Sequence, residues 1–306
     1  MHLSVTAGAM CVAGLAVLLT GVVTNRPRSL VAAVSLCFAA PLAVFGALHL
    51  FGPQFIEPLV PKYMPVRMFW VYGIGCALLA AALSIATGRA VRWSGLLFGT
   101  MMFLFVLMLY LPGALRHLDN RMGLTIVFRE TSFGAAAWLL AATATDGWPD
   151  RWRRVLLMVG RVLVLPALVL FGVEQILHPT LTPGVPLTRD MPAWVPGQVI
   201  IDYVTGVALL VVAGSVVLRK NTRMVATCVG GWLLFLIVVI YGPVMIEGLT
   251  HPETAIQVEG INYFADTLLF AGVILAAGKA AALSSLTPLS ADAVGPTAYS
   301  QSRVHR

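Results

Sequence analysis

Nine apolar runs set the terms for this chain. They cover 3–23 and then about 30–51, 66–87, 92–114, 122–144, 154–178, 197–218, 224–247 and 260–280, each roughly 20 residues long and poor in charge. At 1.5 Å per residue such a run makes a helix about 30 Å long, the thickness of a bilayer's hydrocarbon core. A segment in lipid must satisfy its own backbone hydrogen bonds, which a helix does. The run at 122–144 is the least apolar, because Arg129 and Glu130 interrupt it. The expected fold is all-α, a polytopic membrane helical bundle of about nine transmembrane helices.

Composition points the same way, with 59% hydrophobic and 11% charged residues. The net charge of +7 is spread over short basic clusters between apolar runs, a pattern of topology signals and headgroup contacts. Nucleic acid is therefore excluded as a partner, and the bilayer is the expected one. The four cysteines lie inside apolar runs without CxxC spacing, so neither a disulfide nor a redox relay is expected. Arg26 and Arg28 follow the first run instead of preceding it, the reverse of a cleaved signal peptide, so a retained helix is expected there. Alternate loops hold 13 Lys/Arg residues against 5 on the other side. By the positive-inside rule the N-terminus is expected outside and the C-terminus in the cytoplasm, with the protein in the plasma (bacterial inner) membrane.

The chain also repeats itself. Phe45-Gly46 matches Phe171-Gly172 and Pro53 matches Pro179, at an offset of 126. Pro61 and Pro65 match Pro192 and Pro196, Tyr72 and Gly75 match Tyr203 and Gly206, and Tyr110 and Pro112 match Tyr241 and Pro243, at an offset of 131. The second copy therefore carries five extra residues in its Pro-rich loop. Glu130-Thr131 aligns with Asp266-Thr267. The expected organisation is an additional helix (1–29), two four-helix units (30–146 and 147–280) and a disordered Ser/Thr/Ala/Pro-rich tail (281–306). Four helices is an even number, so the two units are parallel repeats.

Gly46, His49, Pro61, Pro65, Gly73 and Gly75, echoed by Gly172, Gln175, Pro192, Pro196 and Gly206, give a unit that resembles the DoxX-like membrane protein family. The resemblance covers about 30–280 as two units. It implies a bundle associated with membrane redox systems, in some members beside quinone-linked sulfur oxidation, and it supplies no catalytic residues.

Ionisable side chains are costly inside a bilayer, by about 2.5–3.5 kcal/mol at a helix centre, and so mark function or a buried partner. Here they and one amide gather in the outer halves of the spans: His49, Tyr72, Tyr110, Arg129 and Glu130 in the first unit, and Glu174, the amide Gln175, Asp202, Tyr203, Tyr241 and Asp266 in the second. Two explanations stand side by side, a polar pocket open to the outside and helix-end or paired groups that fix packing. Arg129 and Glu130 are sequence neighbours on a helix and are expected to point apart, with Arg129 paired to Asp202 or Glu174 on another helix. The recurring tyrosines suit either an interfacial belt or a wall for a flat ligand such as a quinone. His117, His178 and His251 share no ligand spacing with each other or with His49, so no metal or haem is expected.

The expected function is an accessory or structural subunit of a quinone-linked or redox membrane system, with an outward-facing pocket for a quinone or lipid-like ligand and other membrane subunits as partners. The alternatives are a small-molecule transporter and an intramembrane enzyme using Glu130, Asp202 or Asp266. The charge bias makes a direct prediction about topology. A fluorescent protein fused after residue 306 should fluoresce in cells, and alkaline phosphatase fused there should be inactive. Phosphatase fused after Asp119 should be active, and the opposite pattern at both sites would refute the N-out orientation.

Overall fold

The computed structural model describes residues 3–144 and 148–285. It is an all-α membrane bundle; among the described residues there is no strand, only an isolated antiparallel bridge between Leu181 and Asp190. The long helices are α1 (Val5–Asn25), α2 (Val34–Phe51), α3 (Arg67–Thr87), α4 (Val91–Arg116), α5 (Arg121–Ala142), α6 (Asp150–Leu177), α7 (Gln198–Leu218), α8 (Thr222–Thr250) and α9 (Thr254–Ser285). All except α5 are long and apolar enough to cross a membrane. α5 has the length, 22 residues, but carries Arg129 and Glu130, and it is enclosed by α4, α6 and α9. The expected tail needs correction at its start, since 281–285 continue α9. The rest of it lies outside the described residues.

α4 and α8 each contain a five-residue π-helical segment, Val106–Tyr110 and Ile237–Tyr241. Each ends two residues before a proline, Pro112 or Pro243. A proline inside a helix lacks the N–H for its ladder bond, and its ring crowds the carbonyl four residues back. Widening the preceding turn, with Leu111 and Gly242 bonding to carbonyls five residues back, relieves that conflict. Other irregularities recur at the same spacing of 131. Val66 and Gly197, Gly88 and Arg219, and Ala90 and Asn221 all adopt left-handed backbone angles.

Helices in lipid gain little from hydrophobicity towards one another, so close packing between small residues holds them together. α2 meets α3 at Gly46 and Gly75, and α6 meets α7 at Gly172 and Gly206. α5 and α9 stand at the centre: α5 packs on α6 and α9, while α9 packs on α8, α2 and α5. The last helix of each four-helix stretch thus leans on the first helix of the other. Phe171 of α6 and Phe270 of α9, with ring centroids 5.2 Å apart, lie fully buried in this core.

Two glycines on α7 test the packing account. A Cβ on Gly206 would stand 2.7 Å from the Gly172 carbonyl oxygen, whereas a Cβ on Gly214 meets nothing within 4 Å. Gly206→Ala should cost about 1–3 kcal/mol through overpacking, read as a lowered melting temperature in detergent. Gly214→Ala should be neutral or slightly stabilising, because alanine is the better helix former. Equal effects at the two positions would contradict close approach as the organising contact.

Candidate functional site

The charged group that links two of the central helices is Arg129. Its Nε and Nη2 donate to Glu130 Oε1 at 2.9 and 2.5 Å, and its Nη1 donates to Asp266 Oδ2 at 2.8 Å. The three side chains are only 14%, 8% and 14% exposed. One guanidinium therefore joins α5 to α9 through Asp266 while holding Glu130 of its own helix, and the two carboxylates occupy aligned positions in the two halves of the chain. This corrects two expectations. Neighbouring positions do diverge on a helix, but the arginine stem is long enough to fold its head back over Glu130. Its partner on another helix is Asp266, and neither Asp202 nor Glu174 bonds to it.

Above this cluster is a chamber of about 190 Å³ with Arg129, Glu130, Asp266, Asn262, His49 and Tyr110 among its walls. A second cleft of about 400 Å³ adjoins it, lined by apolar side chains that include Trp70, Ile74, Leu104 and Met108. His49, Ile56, Met101, Phe105 and Tyr110 belong to both walls, so the two spaces meet at these five residues. His49 Nδ1 is 2.7 Å from the Phe45 carbonyl oxygen, which can only accept. Nδ1 therefore carries the proton, and in the neutral ring Nε2 is left as an acceptor. The cleft's volume is within the usual range of about 300–1,000 Å³ for small-molecule sites.

Among the described residues of the second half, the longer loop occupies the corresponding ground. Residues 181–187 are all buried. Thr182 N–H donates to the Arg189 carbonyl and Met191 N–H to the Thr180 carbonyl, closing the loop as a narrow hairpin. Gly184, at φ +106°, makes a reversal that side chains rarely allow. Arg121 Nη1 fastens the loop from α5 by donating to the Pro186 carbonyl at 2.9 Å and to Glu174 at 3.1 Å, and Nη2 donates to the Leu187 carbonyl. Beneath it, Gln175 Nε2 donates to the Thr182 carbonyl at 3.3 Å and Tyr241 donates to the Pro183 carbonyl at 2.6 Å. In the first half the shorter loop forms helical turns, Pro53–Ile56 and Glu57–Leu59, at the cleft's rim.

The residues expected to form the site divide accordingly. His49, Tyr110, Arg129, Glu130 and Asp266 come together. Glu174, Gln175 and Tyr241 serve the second loop, and Asp202 is fully buried with no hydrogen-bond partner among the described residues for either carboxylate oxygen. Tyr72 and Tyr203 are 42% and 44% exposed on the outer faces of α3 and α7, in neither space. Asn262, Met101, Phe105 and Trp70 were not anticipated. Asn262 had a signal, an amide one helical turn before Asp266 on an otherwise apolar face. A further cleft of about 380 Å³, lined by Arg161, Arg219 and Arg223, lies toward the other end of the bundle and shares no lining residue with the chamber.

A protein-family model described as a domain of unknown function (DUF8561) matches residues 38–129. The matched stretch runs from α2 to Arg129 on α5, taking in His49 and Tyr110 and leaving out the second half of the chain. No curated protein and no solved structure matches the chain.

The charged cluster makes a stability prediction. Arg129→Met leaves two buried carboxylates without their cation and should cost about 3–5 kcal/mol, seen as a large fall in melting temperature. The triple variant Arg129→Met/Glu130→Gln/Asp266→Asn removes all three charges and should recover much of that loss. If the triple variant is no more stable than the single one, the guanidinium is not what neutralises the carboxylates.

Proposed function

We propose that the protein is a membrane-embedded binding subunit for an amphipathic, lipid-like molecule, with a quinone as the leading class. The polar head lies in the chamber over Arg129, Glu130 and Asp266, and the apolar body lies in the adjoining cleft. One observation carries the reading: five residues are common to a charged, buried chamber and a larger apolar cleft. A wholly polar solute has no use for the cleft, and a plain hydrocarbon has none for the charges.

A binding role suits the site better than acid–base chemistry. Glu130 and Asp266 are both committed to Arg129, whereas a general acid or base has to exchange its proton during turnover. Asp202, the third carboxylate considered for catalysis, shares no ion pair with them. The redox association rests on the DoxX-like resemblance alone, and it makes the protein an accessory subunit beside a quinone-linked enzyme.

Position 232 suggests how to test this. Trp232 stands 131 residues after Met101, in the half whose space is filled, and its Nε1 donates to Thr205 Oγ1 at 2.9 Å. Met101→Trp should fill the junction between chamber and cleft, since Met101 lines both and tryptophan is the larger side chain. Protein purified from its own membranes should carry an amphipathic small molecule detectable by mass spectrometry of its organic extract. That molecule should be lost from a folded Met101→Trp variant. An extract containing only bulk lipid in bilayer proportions, unchanged by the substitution, would refute the proposal.

A further inference from the structure

Tyr110 and Tyr241 stand in matching surroundings. Each is the last residue of a π-helical segment, each is followed two residues later by proline, and they are 131 residues apart. The loop tip that reaches Tyr241 also occupies matching ground. Its Thr182 carbonyl meets Gln175, the counterpart of His49. Gly184 faces Leu233 and Thr267, whose methyl carbons would stand 3.5 Å from an added Cβ. Leu233 corresponds to Met102, which lines the chamber, and Thr267 to Thr131, next to Glu130. The stretch 182–184 therefore sits in the second half where the chamber lies in the first. There, the Tyr241 hydroxyl donates to a carbonyl oxygen, that of Pro183, at 2.6 Å.

We propose that the ligand of the chamber presents a carbonyl oxygen to the Tyr110 hydroxyl, as Pro183 does to Tyr241. This rests on the binding function above and narrows its ligand to one class: a carbonyl carried on a compact ring, with an apolar tail for the cleft. The loop acts as a built-in likeness of that ligand. Its carbonyl is attached to a small apolar ring, and its neighbouring carbonyl faces the position of His49. A quinone belongs to this class, as does a cyclic ketone or lactam; a saturated lipid tail does not. A site arranged to give a hydrogen bond discriminates against an analogue that cannot receive it, because the buried donor is left unpaired.

The test uses the full chain in lipid nanodiscs and two probes of one shape, a decyl-substituted para-benzoquinone and the decyl-substituted para-xylene in which methyl groups replace the carbonyl oxygens. Calorimetric titration should show the wild-type protein preferring the quinone by about two- to tenfold, the worth of one hydrogen bond. Tyr110→Phe should abolish the preference while keeping affinity for the xylene, and Tyr241→Phe should leave the preference intact. Equal binding of both probes to wild type, or a preference that survives Tyr110→Phe, would overturn the carbonyl assignment and leave the binding function standing. If neither probe binds, both fall. Should Tyr110→Phe fail to fold, the infrared carbonyl stretch of quinone bound to wild type decides. It should move to lower wavenumber than in free lipid, and an unmoved stretch overturns the proposal.

Discussion

Three charges are held inside this bundle by one another. Arg129 reaches Glu130 on its own helix and Asp266 on α9, and all three are nearly excluded from solvent. In a low-dielectric interior a lone charge is expensive, and a hydrogen-bonded set is tolerable only if its geometry is kept. That requirement fixes the relation of α5 to α9, the two helices at the centre. Through them it fixes how the two halves of the chain lean on each other. It also fixes the floor of the chamber, since the side chains that hold α5 and α9 together are those that face it.

The two halves share a backbone plan and differ in what fills it. Matching π segments, matching left-handed turns and matching glycine contacts give each half the same scaffold. A longer loop then closes one of the two spaces. Five added residues let the chain descend, Gly184 lets it reverse, and Arg121 holds the loop at the Pro186 and Leu187 carbonyls. At position 232 the second half has a tryptophan, bonded to Thr205, where the first half has Met101. Among the described residues, the chamber in one half is open and the corresponding ground in the other is occupied by the chain's own loop.

Much of the fold was legible in the sequence, because the signal is coarse and strong. A run of apolar residues long enough to span lipid must be helical, and each expected run coincides with a helix to within about six residues at either end. The ends moved where polar turns extend a helix beyond its apolar stretch, as at Thr254–Ser285 against the expected 260–280. Even α5, the weakest run, is a helix, since its charges are satisfied inside the bundle. The site was legible only in part. Depth alone singled out His49, Tyr110, Arg129, Glu130 and Asp266, but it could not separate them from Tyr72 and Tyr203, which share their depth and face outward. The partner of Arg129 depended on how far a flexible side chain bends, which positions on a helical wheel do not record. The loop's five extra residues were countable, but their descent between helices is a tertiary fact without a local pattern.

The central claim is that the proposed ligand has one chamber, walled by the first half together with Asn262 and Asp266 of α9, and that the second half's loop occupies the equivalent space. Stoichiometry tests this most directly. Native mass spectrometry of the protein released from its own membranes should show a single ligand-sized mass increment per chain. The increment should disappear in Met101→Trp, while Gly206→Ala, on the α7 side of the closed half, should retain it. Two increments per chain, or one that survives filling of the first chamber, would contradict the account.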